Sequence, residues 1–292
     1  MAGTIEYVNT KKEAVTFGKE PPFILTNVDG LEAVQNEIKT ATQYGIEGAI
    51  KTGERYGVRD LSIEGVIVAE TEDDRLLFRR KLVTLFSRDV AGTIIYRERG
   101  KAYSIDVEIE HAPAFREPDQ RPDHVPFLIN LKALDPYWRD ESFYNALIPL
   151  SKSESLFEFP LDITDSFEFA TMKSGEIVQI RNDGDVDVGC VFYMNFLGEV
   201  INPKIYNVLD QSFFGFNGTY TVADGFELST VAGQKYAYRI KNNNKLNAMH
   251  ERLMDSRFIV LKQGENYLQV QAKSGVENIL VNMQFRPLVI GV

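Results

Sequence analysis

The residue types that can do chemistry are present in this chain but poorly grouped. The three histidines, His111, His124 and His250, stand in unrelated contexts. His250-Glu251 opens like the helix of a zinc protease. The second metal ligand of that motif would fall at position 254, which is Met254. Asp183, Asp185 and Asp187 have the alternate spacing with which a calcium loop begins. Such a loop then needs glycine at 188 and glutamate at 194, where this chain has Val188 and Met194. The three aspartates therefore read as a tight acidic turn. Cys190 is the single cysteine, which excludes an intrachain disulfide and a multi-cysteine metal site. It lies in the apolar run from Gly189 to Phe196 and reads as a small core residue. Asn217-Gly218-Thr219 matches a glycosylation acceptor. The start of the chain lacks a basic region followed by an apolar run, so no secretory leader is expected and the acceptor should stay unmodified. There is no glycine-rich phosphate loop and no Gly-x-Ser-x-Gly elbow. The 42 acidic residues bring carboxylates together by chance. No catalytic, metal-binding or cofactor-binding residue is nominated, and the expectation is a non-enzyme.

Composition agrees with a folded, β-rich protein. The 292 residues fit one large or two ordinary domains. A 44% apolar share supports a substantial core, and 19 phenylalanines with 13 tyrosines suit a β-rich interior. The net charge is −10, with no basic tail or stripe of the kind that nucleic-acid binding requires. No stretch approaches the roughly 20 apolar residues of a membrane helix. A soluble protein made in a cytoplasm, without membrane insertion, is expected.

The elements follow from periodicity. Residues 4–8 and 14–17 are short strands. A polar stretch from Thr40 to Asp60, marked by Gly45, Gly48, Gly53 and Gly57, has weak alternation and reads as a hairpin or arm used against a neighbouring subunit. Leu61 to Val68 is a firmer strand. Thr71 to Ser87 is a helix, capped by Thr71 with Asp74 three residues on. Phe78, Leu82, Leu85 and Phe86 form its apolar stripe. Arg79, Arg80, Lys81 and Arg88 form either a solvated face or a subunit contact. Thr93–Arg97 and Ala102–Glu110 pair as a hairpin turning at Arg99-Gly100. Pro113, Pro118, Pro122 and Pro126 are expected to punctuate a loop that is no central strand. The strand from Phe127 to Ala133 then stops at Pro136. It leads into Asp135, Pro136, Tyr137 and Trp138, the last being the only tryptophan. These four are expected at a seam between a domain over 1–142 and another over 143–292. The second half reads as short strands at Phe157–Ile163, Ile177–Asn182, Cys190–Phe196, Phe226–Val231, Tyr236–Ile240, Phe258–Leu261, Tyr267–Ala272 and Ile279–Phe285. A short helix is expected around Leu246 to Leu253. Turn signals between the strands argue for a β-sandwich.

The order of these elements resembles the distal tail proteins of phages with long non-contractile tails, the siphovirus tail component family. The resemblance covers nearly the whole chain. It rests on the N-terminal strands, the arm, the capped helix, the hairpin and Asp135-Pro136-Tyr137-Trp138. It rests further on Asn182-Asp183-Gly184-Asp185, Gly198 to Asn202-Pro203, Gly264-Glu265-Asn266 and a final strand reaching Arg286-Pro287. It implies a mainly β fold with one helix. An N-terminal tail-tube-like β-sandwich or split barrel would be followed by a galectin-like β-sandwich. It implies a structural hub at the virion tail tip, assembled in the host cytoplasm as a homo-hexameric ring or as stacked rings. DNA would pass through the ring without specific binding. The partners implied are the tail tube protein, the tape-measure protein and a tail-tip or tail-associated protein. In that frame the interface or channel candidates are Tyr44, Glu47, Lys51, Glu54, Arg55, Tyr56, Arg59, Arg79 and Arg80. The mixed charge of the arm leaves the sign of the lumen open. An alternative is a carbohydrate-binding module using Tyr206, Phe213, Phe214, Phe216 and Tyr220. A glycosidase has only the unspecific carboxylates behind it.

Overall fold

The computed structural model describes residues 3–45, 47–88, 91–116, 124–143, 147–155, 170–173, 175–242 and 244–292. The expected strand Phe157–Ile163 and two of the loop prolines, Pro118 and Pro122, lie outside them. The contacts divide the chain into two units, Met1–Ser142 with Leu288–Val292, and Phe143–Pro287. The second expected domain ran to residue 292, whereas the structure returns the last five residues to the first unit.

The first unit is an antiparallel sheet with one helix. Its strands are β1 (Thr4–Asn9), β2 (Ala14–Phe17), β3 (Phe23–Asp29), β4 (Asn36–Ala41), β5 (Ile50–Tyr56) and β6 (Arg59–Val68) before the helix α1 (Glu72–Leu85). After it come β7 (Gly92–Glu98), β8 (Lys101–Phe115), β9 (His124–Ala133) and β10 (Trp138–Asp140). The main sheet runs β2-β1-β7-β8-β9-β6-β3. β10 pairs with β8 and with the terminal strand Leu288–Val289. Strict alternation sorts the side chains: along β6 and β9 every second residue is buried. The two strands stay in register from Arg59↔Ala133 to Val68↔His124. Between β7 and β8 the chain reverses at Arg99-Gly100, both at positive φ (49° and 82°), the two-residue turn that matches strand twist.

Two prolines sit where the sequence argued against strands. Pro113 lies inside β8, within the irregularity between His111 and Ala114. A bulge leaves a residue out of the ladder, so the missing N–H costs nothing there. Pro126 lies inside the central strand β9, opposite Val66. Its carbonyl accepts from Arg116 N at 3.0 Å. A strand residue's N–H and C=O face the same neighbour, so the absent donor falls on the β8 side, past the last registered pair Phe115↔Phe127.

The helix forms where the sequence puts it. Thr71 Oγ1 accepts from Asp74 N at 3.1 Å and donates to the Asp74 carboxylate at 2.7 Å. Leu82, Leu85 and Phe86 are buried, and Phe78 packs against the same core. The Phe86 and Tyr7 rings stack at 4.2 Å. The basic residues are not all plainly solvated: the Arg79 guanidinium lies 4.9 Å from the Phe115 ring and Lys81 Nζ 5.8 Å from Phe23. Arg80 is exposed.

Trp138 corrects the expected seam. It is fully buried in the first unit's core cluster with Ile63, Leu131 and Ala133, and its strand pairs with Val289. The strand after Pro136 completes this core before the chain leaves it.

The second unit stacks two antiparallel sheets. The six-stranded sheet runs Ile148–Pro149, Ile279–Gln284, Val191–Phe196, Asp224–Ser229, Tyr236–Lys241 and Asn244–Asn247. The four-stranded sheet runs Ile177–Asn182, Gly264–Gln271, Lys204–Asn207 and Phe213–Gly215. Their inward residues, among them Phe192, Met194, Phe226, Ile205, Phe214 and Leu268, are buried. The expected helix over 246–253 is instead the edge strand Asn244–Asn247, then a single turn at Met249–Glu251. Asn242 adopts φ 50° and turns the chain into a hairpin, and Asn247 Oδ1 accepts from Met249 N at 3.0 Å.

Truncating Trp138 to alanine is expected to cost about 3–5 kcal/mol, the usual range for a buried large aromatic. Thermal unfolding followed by circular dichroism should show the loss. A melting curve unchanged from the wild type would contradict the burial described.

Candidate assembly surface

The groups that could do chemistry are occupied structurally. Asn182 organises the acidic turn: Nδ2 donates to Val186 O at 2.9 Å, and Oδ1 accepts from Gly184 N at 3.0 Å. Asp187 pairs with Lys262 at 2.6 Å. No group of three or more His, Cys, Asp or Glu able to hold a metal occurs among the described residues. Glu251, beside His250, accepts from Tyr220 Oη at 2.9 Å and faces Arg239 at 3.3 Å. Burial pushes the Cys190 thiol up to about 12, against the opposing hydrogen bond to Thr230.

The surface that stands out is the hairpin β4–β5. Among the described residues these strands pair only with each other. Every residue of β4 is exposed, and so are all but Gly53 in β5. The charges on it satisfy one another: Arg55 meets Glu37 and Lys51 meets Glu54, both at 2.7 Å, while Asn36 donates to Glu54 at 2.9 Å. Exposed pairs of this kind contribute about 0–1 kcal/mol each. Ile38, Tyr44, Ile50 and Tyr56 are exposed large apolar residues, Tyr44 completely so. Glu47, in the connecting loop, is exposed as well. A two-stranded hairpin without a buried face is marginal alone, and its outer edges carry backbone groups available to another chain.

What holds the arm is its mount. The Tyr56 ring meets Tyr137 edge-on at 6.0 Å. Three residues on, Arg59 corrects the sequence expectation: it is only 2% exposed. Its Nε donates to Pro136 O at 2.8 Å, Nη1 donates to the carbonyls of Gly30 and Glu32, and Nη2 donates to the carbonyl of Ile290. The guanidinium also lies 5.8 Å from the Trp138 ring. Burial lowers its pKa, with Glu32 acting in the opposite direction. A guanidinium stays charged regardless, and its fixed fork of donors suits several carbonyls at once. Gly30 sits at φ +89°, and a Cβ there would stand 2.2 Å from Asp60 O, so only glycine lets this loop approach.

Of the sequence candidates, Tyr44, Glu47, Lys51, Glu54, Arg55 and Tyr56 lie together on the arm. Arg59, Pro136, Tyr137 and Trp138 form its base, and Asp135 Oδ1 caps the turn by accepting from Tyr137 N at 3.3 Å. Arg79 and Arg80 belong to α1, a separate element. Sequence reasoning missed Arg59's role, although one signal was there. Arg59 falls in phase with Leu61, Ile63 and Ile67, the buried face of β6.

An antiparallel sheet with one helix and a projecting hairpin, followed by a second β-sheet unit, makes a mainly β architecture. Residues 11–131, which fall within the first unit, match the family model described as the phage tail protein RIFT-related domain. Among solved structures, the chain is similar to the Dit protein of phage SPP1, described as a paradigm of the hub adsorption apparatus in phages infecting Gram-positive bacteria. The TM-score is 0.69 at 13% identity, covering 97% of this chain and 98% of that one. It is also similar to chains in two structures of the phage P2 baseplate in its activated conformation, with Ca and with Sr. Their TM-scores are 0.52 and 0.51 at 8% and 9% identity, covering 97% of both chains in each case. A search of curated proteins by sequence finds no match. The resemblance to distal tail proteins drawn from the sequence thus holds, with the likeness to the solved structures being one of fold.

Replacing Arg59 by lysine removes a donor fork and leaves carbonyls unpaired, at an expected cost of about 2–4 kcal/mol. Limited proteolysis should then cut faster near Gly30 and Gly57; unaltered cleavage and stability would count against the mount. Cys190 should resist a thiol reagent at pH 8 in the native protein and react only after denaturation. Rapid native labelling would contradict its burial.

Proposed function

We propose that the protein is the structural hub of a phage or prophage tail tip of the long non-contractile type. The first unit forms a hexameric ring around the DNA channel. The second unit, a galectin-like sandwich on this reading, serves the attachment of tail-tip or host-adhesion proteins. The tail tube and tape-measure proteins are the partners on the other side. Assembly takes place in the bacterial host cytoplasm, and the product resides in the virion tail. The observation that carries this reading is the projecting hairpin on a RIFT-related domain, within a fold similar along its whole length to a hub protein.

Physical reasoning supports the same role. A ring needs a head-to-tail interface that closes, in which one surface meets a different surface of the next copy. The arm supplies unpaired edges and exposed Tyr44, Ile38 and Ile50 for one side of such an interface. A channel that lets DNA pass must not bind phosphate, and the net charge of −10 suits that. No catalytic step is needed.

Native mass spectrometry of the full chain should give a species of six times the monomer mass. A monomer at every concentration and salt would overturn the ring. Joining Ala41 to Ile50 through Asn-Gly should abolish assembly while leaving the circular dichroism of the chain nearly unchanged. A hexamer that survives this shortening would remove the arm from the interface.

A further inference from the structure

The aromatics expected to bind sugar divide sharply. Phe214, Phe216 and Tyr220 are fully buried core residues and are unavailable. Tyr206 and Phe213, cross-strand neighbours, lie half-buried on the outer face of the four-stranded sheet. Lys204 shares that face, with Nζ 5.2 Å from the Phe213 ring and 5.9 Å from the Tyr206 ring. Across the next strand, Lys204 is opposite Gln271 and Tyr206 is opposite Gln269. Lys204, Gln269 and Gln271 line an open cleft of about 460 Å³ together with Asn202 and Lys273; Tyr206 and Phe213 lie outside the lining, on the side of Lys204.

Three features of the cleft point to a ligand. It holds two lysines and no carboxylate, in a chain whose net charge is −10. Neither lysine has an ion pair among the described residues, so both charges are available to a solute. The glutamine amides are pre-ordered: Gln271 Nε2 donates to Gln269 Oε1 at 2.6 Å, and Gln269 Nε2 donates to Gly175 O at 2.7 Å. Each amide keeps donor or acceptor capacity toward the cleft. An inorganic anion uses donors alone, which leaves the glutamine oxygens unused. Hydroxyl groups use both.

We propose that this cleft binds a saccharide unit bearing a carboxylate or phosphate group. Lys204 and Lys273 take the acidic group. Gln269, Gln271 and Asn202 bond the hydroxyls, and the Tyr206–Phe213 surface borders the ring. A few converging polar groups in a concave surface are the usual makeup of a small-ligand site. The cleft is open, which suits one unit of a polymer as well as a free sugar.

Saturation-transfer NMR on the full chain tests this with galacturonic acid, glucose 6-phosphate, galactose and inorganic phosphate. The two acidic sugars should bind saturably with Kd on the order of 1 mM. Galactose should bind more weakly, and added salt should weaken the acidic sugars. Lys204→Met and Lys273→Met should each weaken acidic-sugar binding about tenfold, the scale of one charge-assisted bond, with an unchanged melting temperature. No transfer to any sugar, or equal transfer in wild type and both variants, overturns the proposal. So does inorganic phosphate binding as well as glucose 6-phosphate, since the cleft would then be an anion site only. The hub reading is independent of this outcome: a hexamer that ignores sugars, or a monomer that binds them, separates the two.

Discussion

The buried charge of Arg59 is the constraint on which the first unit depends. One guanidinium donates to carbonyls at Gly30, Glu32, Pro136 and Ile290, the last of them 231 positions away from the arginine in sequence. Each of these segments offers a backbone oxygen that burial would otherwise leave unpaired, at about 1–3 kcal/mol each. The arginine therefore does for irregular backbone what a ladder does for strands. It also costs solvation to bury, and removing it leaves a polar cavity. Trp138, whose ring lies 5.8 Å from the guanidinium, is itself fully buried, and a hydrogen bond in such low-dielectric surroundings is stronger than one in water.

This concentration of order at the base explains how the arm can be so sparsely held. The hairpin from Asn36 to Tyr56 buries almost nothing, and its ion pairs are exposed. Folding energy does not account for its being kept. A segment with free edges and exposed tyrosine is a liability in a monomer and an asset in an assembly. The charges along it, paired as Arg55–Glu37 and Lys51–Glu54, discourage indiscriminate pairing while leaving the apolar side chains available.

Much of this was legible in the sequence because local rules suffice for it. The Thr71 cap, the stripe of Leu82, Leu85 and Phe86, and the Arg99-Gly100 turn are decided by neighbours within four residues. Most of the missed features are decided at long range. Pro113 and Pro126 argue against strands locally, and only the bulge in β8 and the end of its ladder with β9 make them acceptable. Trp138 beside a proline stop looks like the end of a domain until Val289 is seen to pair with it. Leu246 to Leu253 carries enough apolar residues to suggest a helix, but a left-handed Asn242 commits Asn244–Asn247 to an edge strand. Among the sugar-site candidates, Phe214 and Phe213 are adjacent, so they face opposite sides of one strand. Periodicity could say that they differ, though not which of them is outside.

The return of residues 288–292 has a consequence for how the first unit is completed. The whole second unit lies in sequence between β10 and the terminal strand. Val289 pairs with Trp138, Val292 N donates to Leu31 O at 3.0 Å, and Ile290 O accepts from Arg59. During synthesis the strands β1 to β9 can pair early, since their contacts are made within the first part of the chain. The Arg59 shell stays one acceptor short until residue 290 has emerged. Closing so long a loop costs little more entropy than closing a shorter one, because the penalty grows only with the logarithm of length. It does cost time, and non-local contacts of this kind form late. The mount of the arm is therefore finished only after the sandwich has been made.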